Sequence, residues 1–132
     1  MCGAKPEILR NPRRITTKAI IFDVFNTLFD NSREPWLVTF RTICSEQSLS
    51  VNPEELYQHW RALDTAARKG RVNLDAPELS PKFKPYREIW ENCFSTAFSE
   101  LGLKADASAA TTRAVTDLTQ RTAFPESLTV VT

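Results

Sequence analysis

The chain of 132 residues is poor in histidine, glycine, cysteine and methionine, and each scarcity excludes a class of chemistry. His59 is the only histidine, so histidine-based triads and multi-histidine metal sites are ruled out. Cys2, Cys44 and Cys93 are odd in number and far apart, without the CxxC spacing of zinc or redox sites, as suits a reducing cytoplasm. No stretch approaches the roughly 18 apolar residues of a membrane span, and the first residues lack the apolar core of a signal peptide. The expectation is a soluble, cytoplasmic chain without a membrane partner. Seventeen Lys and Arg against sixteen Asp and Glu leave a net charge of +1, so no global field recruits nucleic acid. Arg10, Arg13, Arg14 and Lys18 cluster locally and read as a solvated N-terminal arm. Any acid–base or nucleophilic step must then use carboxylates, Lys, Ser, Thr, Tyr or Cys.

What is present suffices for one ordinary domain, with 42% of residues hydrophobic. From Ile15 to Asp23 the residues are β-prone and end in the run Ala19-Ile20-Ile21-Phe22, the pattern of a strand buried on both faces of a parallel α/β sheet. Four amphipathic helices follow, over about Glu34–Leu49, Asn52–Lys69, Pro85–Leu101 and Asp106–Arg121. Asn52 and Pro53 mark the start of the second helix, and Gly70 and Gly102 mark two helix ends. Trp36, Trp60, Trp90, Phe94 and Phe98 recur at helical spacing and read as core; Tyr57 and His59 read as surface or edge. The proline-bearing stretch from Gly70 to Pro85 reads as a long surface loop. The tail turns at Pro125 and becomes β-prone over Leu128–Val131. A strand buried on both faces needs neighbours for its backbone groups, and only the tail offers one. Either a partner supplies the sheet, or the chain is the first part of a longer protein.

Asp23 stands where that strand would end, the usual ligand position of α/β sheets. There, loop amides can hold one carboxylate oxygen while the other attacks an electrophile and forms a covalent aspartyl intermediate. The hydroxyl of Thr27 could fix the loop. The competing reading is an aspartate that merely caps a turn.

The stretch IFDVFNTLFD resembles the first motif of the haloacid dehalogenase superfamily, and within it the dehalogenase-like branch. The resemblance implies an α/β fold with a Rossmannoid core, of which only the first strand and a short last strand are represented, and a four-helix C1 cap forming most of the chain. The implied divisions are an arm at 1–14, the first core strand and nucleophile loop at 15–31, the cap at 32–122 and the return to the core at 123–132. By the same resemblance Asp23 is the nucleophile, Thr27 orients it, and the backbone of Val24 and Phe25 lines the reactive oxygen. LYQHWRALD resembles the cap helix whose arginine, here Arg61, binds the substrate's anionic group. PYREIWENCFSTAFSELGL resembles the later cap helix, and FPESL the return to the core.

Two departures from the motif direct the chemistry. Phe25 occupies the place of the phosphatases' second aspartate, and a phenyl ring cannot protonate a leaving alkoxide; that proton is worth on the order of 10² to 10⁴ in rate. Halide needs no such proton. Asn26 replaces a glycine, and Asn tolerates left-handed backbone better than most residues. The superfamily's second, third and fourth motifs have no counterpart. Six residues between Pro125 and Thr132 leave no room for the helix before a second motif, so truncation is expected. The expectation is thus a hydrolase acting on a small anionic substrate, most like a 2-haloacid dehalogenase, without a cofactor. The alternatives are a phosphatase of the same superfamily that uses Mg²⁺, and a catalytically incomplete interaction module. An uncovered strand edge would also favour self-association.

Overall fold

Short-range chemistry sets the helix ends. In this computed structural model, which describes residues 17–132, the first four helices are α1 (Arg33–Glu46), α2 (Pro53–Lys69), α3 (Tyr86–Glu100) and α4 (Ala107–Thr119). The expected arm at 1–14 and positions 15 and 16 of the expected strand lie outside the described residues. Asn52 starts α2 by accepting from the Glu54 amide at 2.9 Å, and Asp106 starts α4 by accepting from the Ala109 amide at 3.0 Å. Both bonds satisfy donors that a helix start leaves without an intrahelical partner.

Two helices stop in the same way. After α3, Gly102 has a φ of 65°, and the amide of Leu103 reaches back to the Phe98 carbonyl at 2.8 Å. After α1, Ser48 has a φ of 52°, and Leu49 bonds the Cys44 carbonyl at 2.9 Å. Each is a left-handed residue followed by a leucine that packs on the core, a Schellman ending. Gly102 adopts this conformation without a Cβ clash, whereas Ser48 does so at a conformational cost.

The four helices form a square. α1 touches α2 and α4, and α3 touches α2 and α4. The middle of the square is aromatic. The ring of Trp60 lies 5.2 Å from Trp36 and 5.5 Å from Phe40, Trp90 and Phe94, within the range of favourable tilted and edge-on packing. Phe98 extends the cluster from Phe94 at 5.7 Å. These residues are buried, as their spacing predicts. Tyr57 differs from expectation: it too is buried, edge-on to Phe40 at 5.3 Å. His59 is half-buried at the bundle edge and pairs with Glu100 at 2.9 Å.

The expected α/β fold is not formed. Helices make up 58% of the described residues, and no strand or sheet occurs among them. Residues 17–24 have no regular structure, and Ile20 and Ile21 are 70% and 94% exposed. Only isolated bridges, Phe25 to Phe29 and Phe29 to Ala123, have β character. The tail also departs from its β propensity. It forms α5 (Ser127–Val131), with Val130 bonding the Glu126 carbonyl at 3.1 Å. A strand needs a second strand to take its backbone groups, whereas a helical turn satisfies its own, so with no strand beside it among the described residues the tail closes locally.

Candidate functional site: a turn at Asp23 beside a cationic cleft

The residues from Asp23 to Asp30 form a tight turn that precedes α1. The Val24 carbonyl accepts from the amides of Thr27, Leu28 and Phe29 at 3.4, 2.8 and 3.1 Å, and the Asn26 amide donates to the Phe29 carbonyl at 2.7 Å. Asn26 sits at a φ of 61°, the left-handed conformation that a glycine or asparagine takes with least strain. Its side chain then accepts from the Asn31 amide at 2.9 Å, which locks the turn from both ends. Within this frame the Thr27 hydroxyl donates to Asp23 Oδ2 at 2.6 Å. Oδ1 of Asp23 has no bonded partner among the described residues, and neither do the amides of Val24 and Phe25.

The turn is fastened to the far end of the bundle. The Asp30 amide donates to the Thr122 carbonyl at 2.9 Å, the Phe124 amide to the Leu28 carbonyl at 3.0 Å, and the Ser127 hydroxyl to that same carbonyl at 2.7 Å. Arg121 completes the junction. Its Nε donates to Asn31 Oδ1 at 3.1 Å while its guanidinium lies 5.0 Å from the Trp36 ring. Burial pushes the Arg121 guanidinium down from its ordinary pKa, and the nearby carboxylates of Asp117 and Asp30 oppose that shift. Asp30 is itself held below the usual carboxylate range, chiefly by the Ser32 amide and then by the Ser32 side chain. The segments leading into and out of the bundle therefore run side by side.

Next to the turn opens a cleft of about 520 Å³. Asn26, Asn31 and Ser32 form one edge, and Trp36 and Trp60 contribute apolar lining. Three guanidiniums, Arg33, Arg61 and Arg68, line it as well. Two of them are already matched by carboxylates: Arg33 pairs with Glu54, and Arg68 Nε donates to Asp64 Oδ2 at 2.8 Å. Arg61 donates only to the neutral Tyr57 hydroxyl, at 2.7 Å, and pairs with no carboxylate among the described residues. It is the uncompensated positive charge of the cleft. Asp64 is buried, 5% exposed, and its other oxygen accepts from Trp90 Nε1 at 3.0 Å, so it ties α2 to α3 beneath the cleft. Trp60 Nε1 is buried without a hydrogen-bond partner among the described residues.

Of the residues the sequence singles out, Asn26 and Arg61 line this cleft. Asp23 and Thr27 are bonded to each other in the adjoining turn but do not line it, and Val24 and Phe25 are partly exposed on the same turn. Arg33, Arg68 and Asp64 were not anticipated. Arg61, Asp64 and Arg68 stand three and four residues apart, the spacing that places them along one side of α2, and that periodicity was the available signal. Nothing in the sequence brings Arg33, on α1, to the same cleft.

Comparison with protein-family models, with curated proteins and with solved structures finds no significant match to this chain.

Proposed function

We propose that this protein is a hydrolase of the haloacid dehalogenase type, with Asp23 as nucleophile and a small monoanion as substrate. The observation that carries the reading is the 2.6 Å bond from Thr27 to Asp23 Oδ2, which orients the carboxylate and leaves Oδ1 without a partner among the described residues. Oδ1 attacks the carbon bearing the leaving group. The new carbon–oxygen bond forms as the carbon–halogen bond breaks, and halide departs with the electron pair. Water then adds to the aspartyl ester carbonyl, the acyl–oxygen bond breaks, and a 2-hydroxy acid and a proton leave as Asp23 is restored. The amides of Val24 and Phe25, which have no partner among the described residues, would donate to the oxyanion of that second step. Arg61, the one guanidinium of the cleft without a carboxylate partner among the described residues, supplies the charge for the substrate carboxylate, and the reaction as drawn uses no metal or organic cofactor.

Phe25 favours halide over phosphate ester as the leaving group, because the turn offers no acid at that position. The phosphatase alternative would draw on Mg²⁺ and a general acid from elsewhere. A second reading, an interaction module without turnover, is favoured by the exposure of Ile20, Ile21 and Phe22 beside Asp23.

The test is halide release from 2-chloropropionate and phosphate release from a phenyl phosphate, measured on the protein and on Asp23→Asn. Halide release that falls by on the order of 10⁴ or more in the variant is the expected result. Arg61→Ala should raise KM for the haloacid more than it lowers kcat. Phosphate release alone selects the phosphatase reading. Absence of both activities, or activity that survives Asp23→Asn, overturns the proposal.

A further inference from the structure

A second cavity, of about 510 Å³, lies between the C-terminal half of α2, the side of α3 and the segment 70–85, and it shares no lining residue with the cleft of Arg61. The segment over it is long but tied. Arg71 holds one end, with its guanidinium 4.1 Å from the Tyr86 ring, 5.5 Å from the Phe83 ring and donating to the Lys84 carbonyl at 3.2 Å. Asn73 closes the middle: its amide donates to Ser80 Oγ at 3.0 Å, and its side chain accepts from the Asp75 and Ala76 amides at 3.1 and 3.0 Å. Pro77, Pro81 and Pro85 remove further backbone freedom. A strap held this way keeps a preformed cavity, and its volume falls within the roughly 300 to 1000 Å³ of small-molecule sites.

The lining has three parts. Leu63, Ala67, Phe83 and Ile89 present apolar surface, Asn92 and Thr96 present neutral polar groups, and Arg71, Lys82 and Lys84 present positive charge. No acidic residue lines the cavity. Among the three cations, Arg71 is stacked on aromatic rings and Lys84 is paired with Glu88 at 3.1 Å. Lys82 has no carboxylate partner among the described residues. An apolar interior with one unmatched ammonium is complementary to an unbranched alkyl chain that ends in a single negative charge.

We propose that this cavity binds an amphipathic alkyl monocarboxylate, with its chain against Leu63, Ala67 and Ile89 and its carboxylate at Lys82. The site is independent of Asp23 and of any turnover there.

The probe is dodecanoate below its micelle-forming concentration, titrated calorimetrically into the whole protein and followed by NMR of isotope-labelled isoleucine methyls. Saturable binding of one molecule per chain is expected, with the Ile89 methyl signals shifting and those of Ile43 on α1 unchanged. Lys82→Glu, an exposed substitution compatible with folding, should weaken dodecanoate about tenfold or more and strengthen dodecyltrimethylammonium. Ala67→Trp, which fills the cavity, should abolish binding of dodecanoate. Equal affinity of the wild-type protein for dodecanoate and dodecyltrimethylammonium would overturn the assignment of the headgroup. No saturable binding, or binding that leaves Ile89 unmoved and Lys82→Glu unaffected, would overturn the site.

Discussion

The helical bundle and the segments that lead into and out of it treat apolar residues in opposite ways. In the bundle, Trp36, Phe40, Trp60, Trp90 and Phe94 are withdrawn from water around one aromatic nucleus. At the junction, Ile20, Ile21, Leu128 and Val130 are exposed although they are as apolar as many core residues. Composition does not separate the two regions; partnership does. Each bundle helix satisfies its own backbone bonds and turns an apolar face to two neighbours, whereas residues 17–24 have no second strand among the described residues.

The sharpest way to break the contrast is to cut into the nucleus. Phe40→Ala removes a fully buried ring that touches Tyr57, Trp60 and Phe94, and should cost about 3 to 5 kcal/mol, measured by chemical denaturation.

A smaller effect is expected from alkaline pH. Burial, with a lesser contribution from Asp64, pushes the Cys93 thiol from its ordinary 9.0 up to about 11. Between those values the unfolded chain has released the thiol proton and the folded chain has not, so stability falls as pH rises through the window. The contribution is roughly 2 kcal/mol. Cys93→Ala should show a flatter decline between pH 9 and 11 than the unmodified protein. An identical decline in the two would sink this assignment.

Asp64→Ala should cost about 1 to 3 kcal/mol, because it leaves the Trp90 indole N–H buried without an acceptor. Thermal melts of Asp64→Ala and of Trp90→Phe, together and apart, would separate that bond from general packing. Ser48→Gly should act in the other direction and raise stability by about 1 kcal/mol, since glycine takes the φ of 52° without strain. A decrease would mean that the serine side chain contributes more than its backbone costs.

The smallest expected change in stability lies at the junction. Ile21→Ser should alter unfolding by less than about 0.5 kcal/mol, because the side chain is almost fully solvated. It should nevertheless reduce self-association in analytical ultracentrifugation, as an unpaired apolar segment favours pairing between chains. Together with Phe40→Ala it tests whether apolar residues of the two regions differ in energy as they differ in exposure.

Much of the bundle was legible in the sequence because its signals are local. The Asn52 cap, the Gly102 stop and the spacing of Trp90, Phe94 and Phe98 each act within a few residues, and the observed helices begin and end within about three residues of the expected limits. The burial of Tyr57 was missed, since it lies at the margin of the stripe on α2 and only the approach of Phe40 decides its side. At the site, the left-handed turn at Asn26 and the hydroxyl of Thr27 within reach of Asp23 could be read from five consecutive positions. The charge balance of the cleft could not, because Arg33 and Glu54 are brought together from different helices.

The amino-acid order alone determined four helices, the Asn52 start, the Gly102 stop and an aromatic face on most of the helices, since periodicity and capping operate through bonds a few residues long. Tertiary structure decided that Arg61 is the cleft's cation without a carboxylate partner among the described residues. It also decided that Leu128–Val131 coils into α5 and that the run before Asp23 stays outside any sheet. The physical reason is the same in both segments: a helical turn carries its own hydrogen-bond partners, while a strand exists only where another segment supplies them.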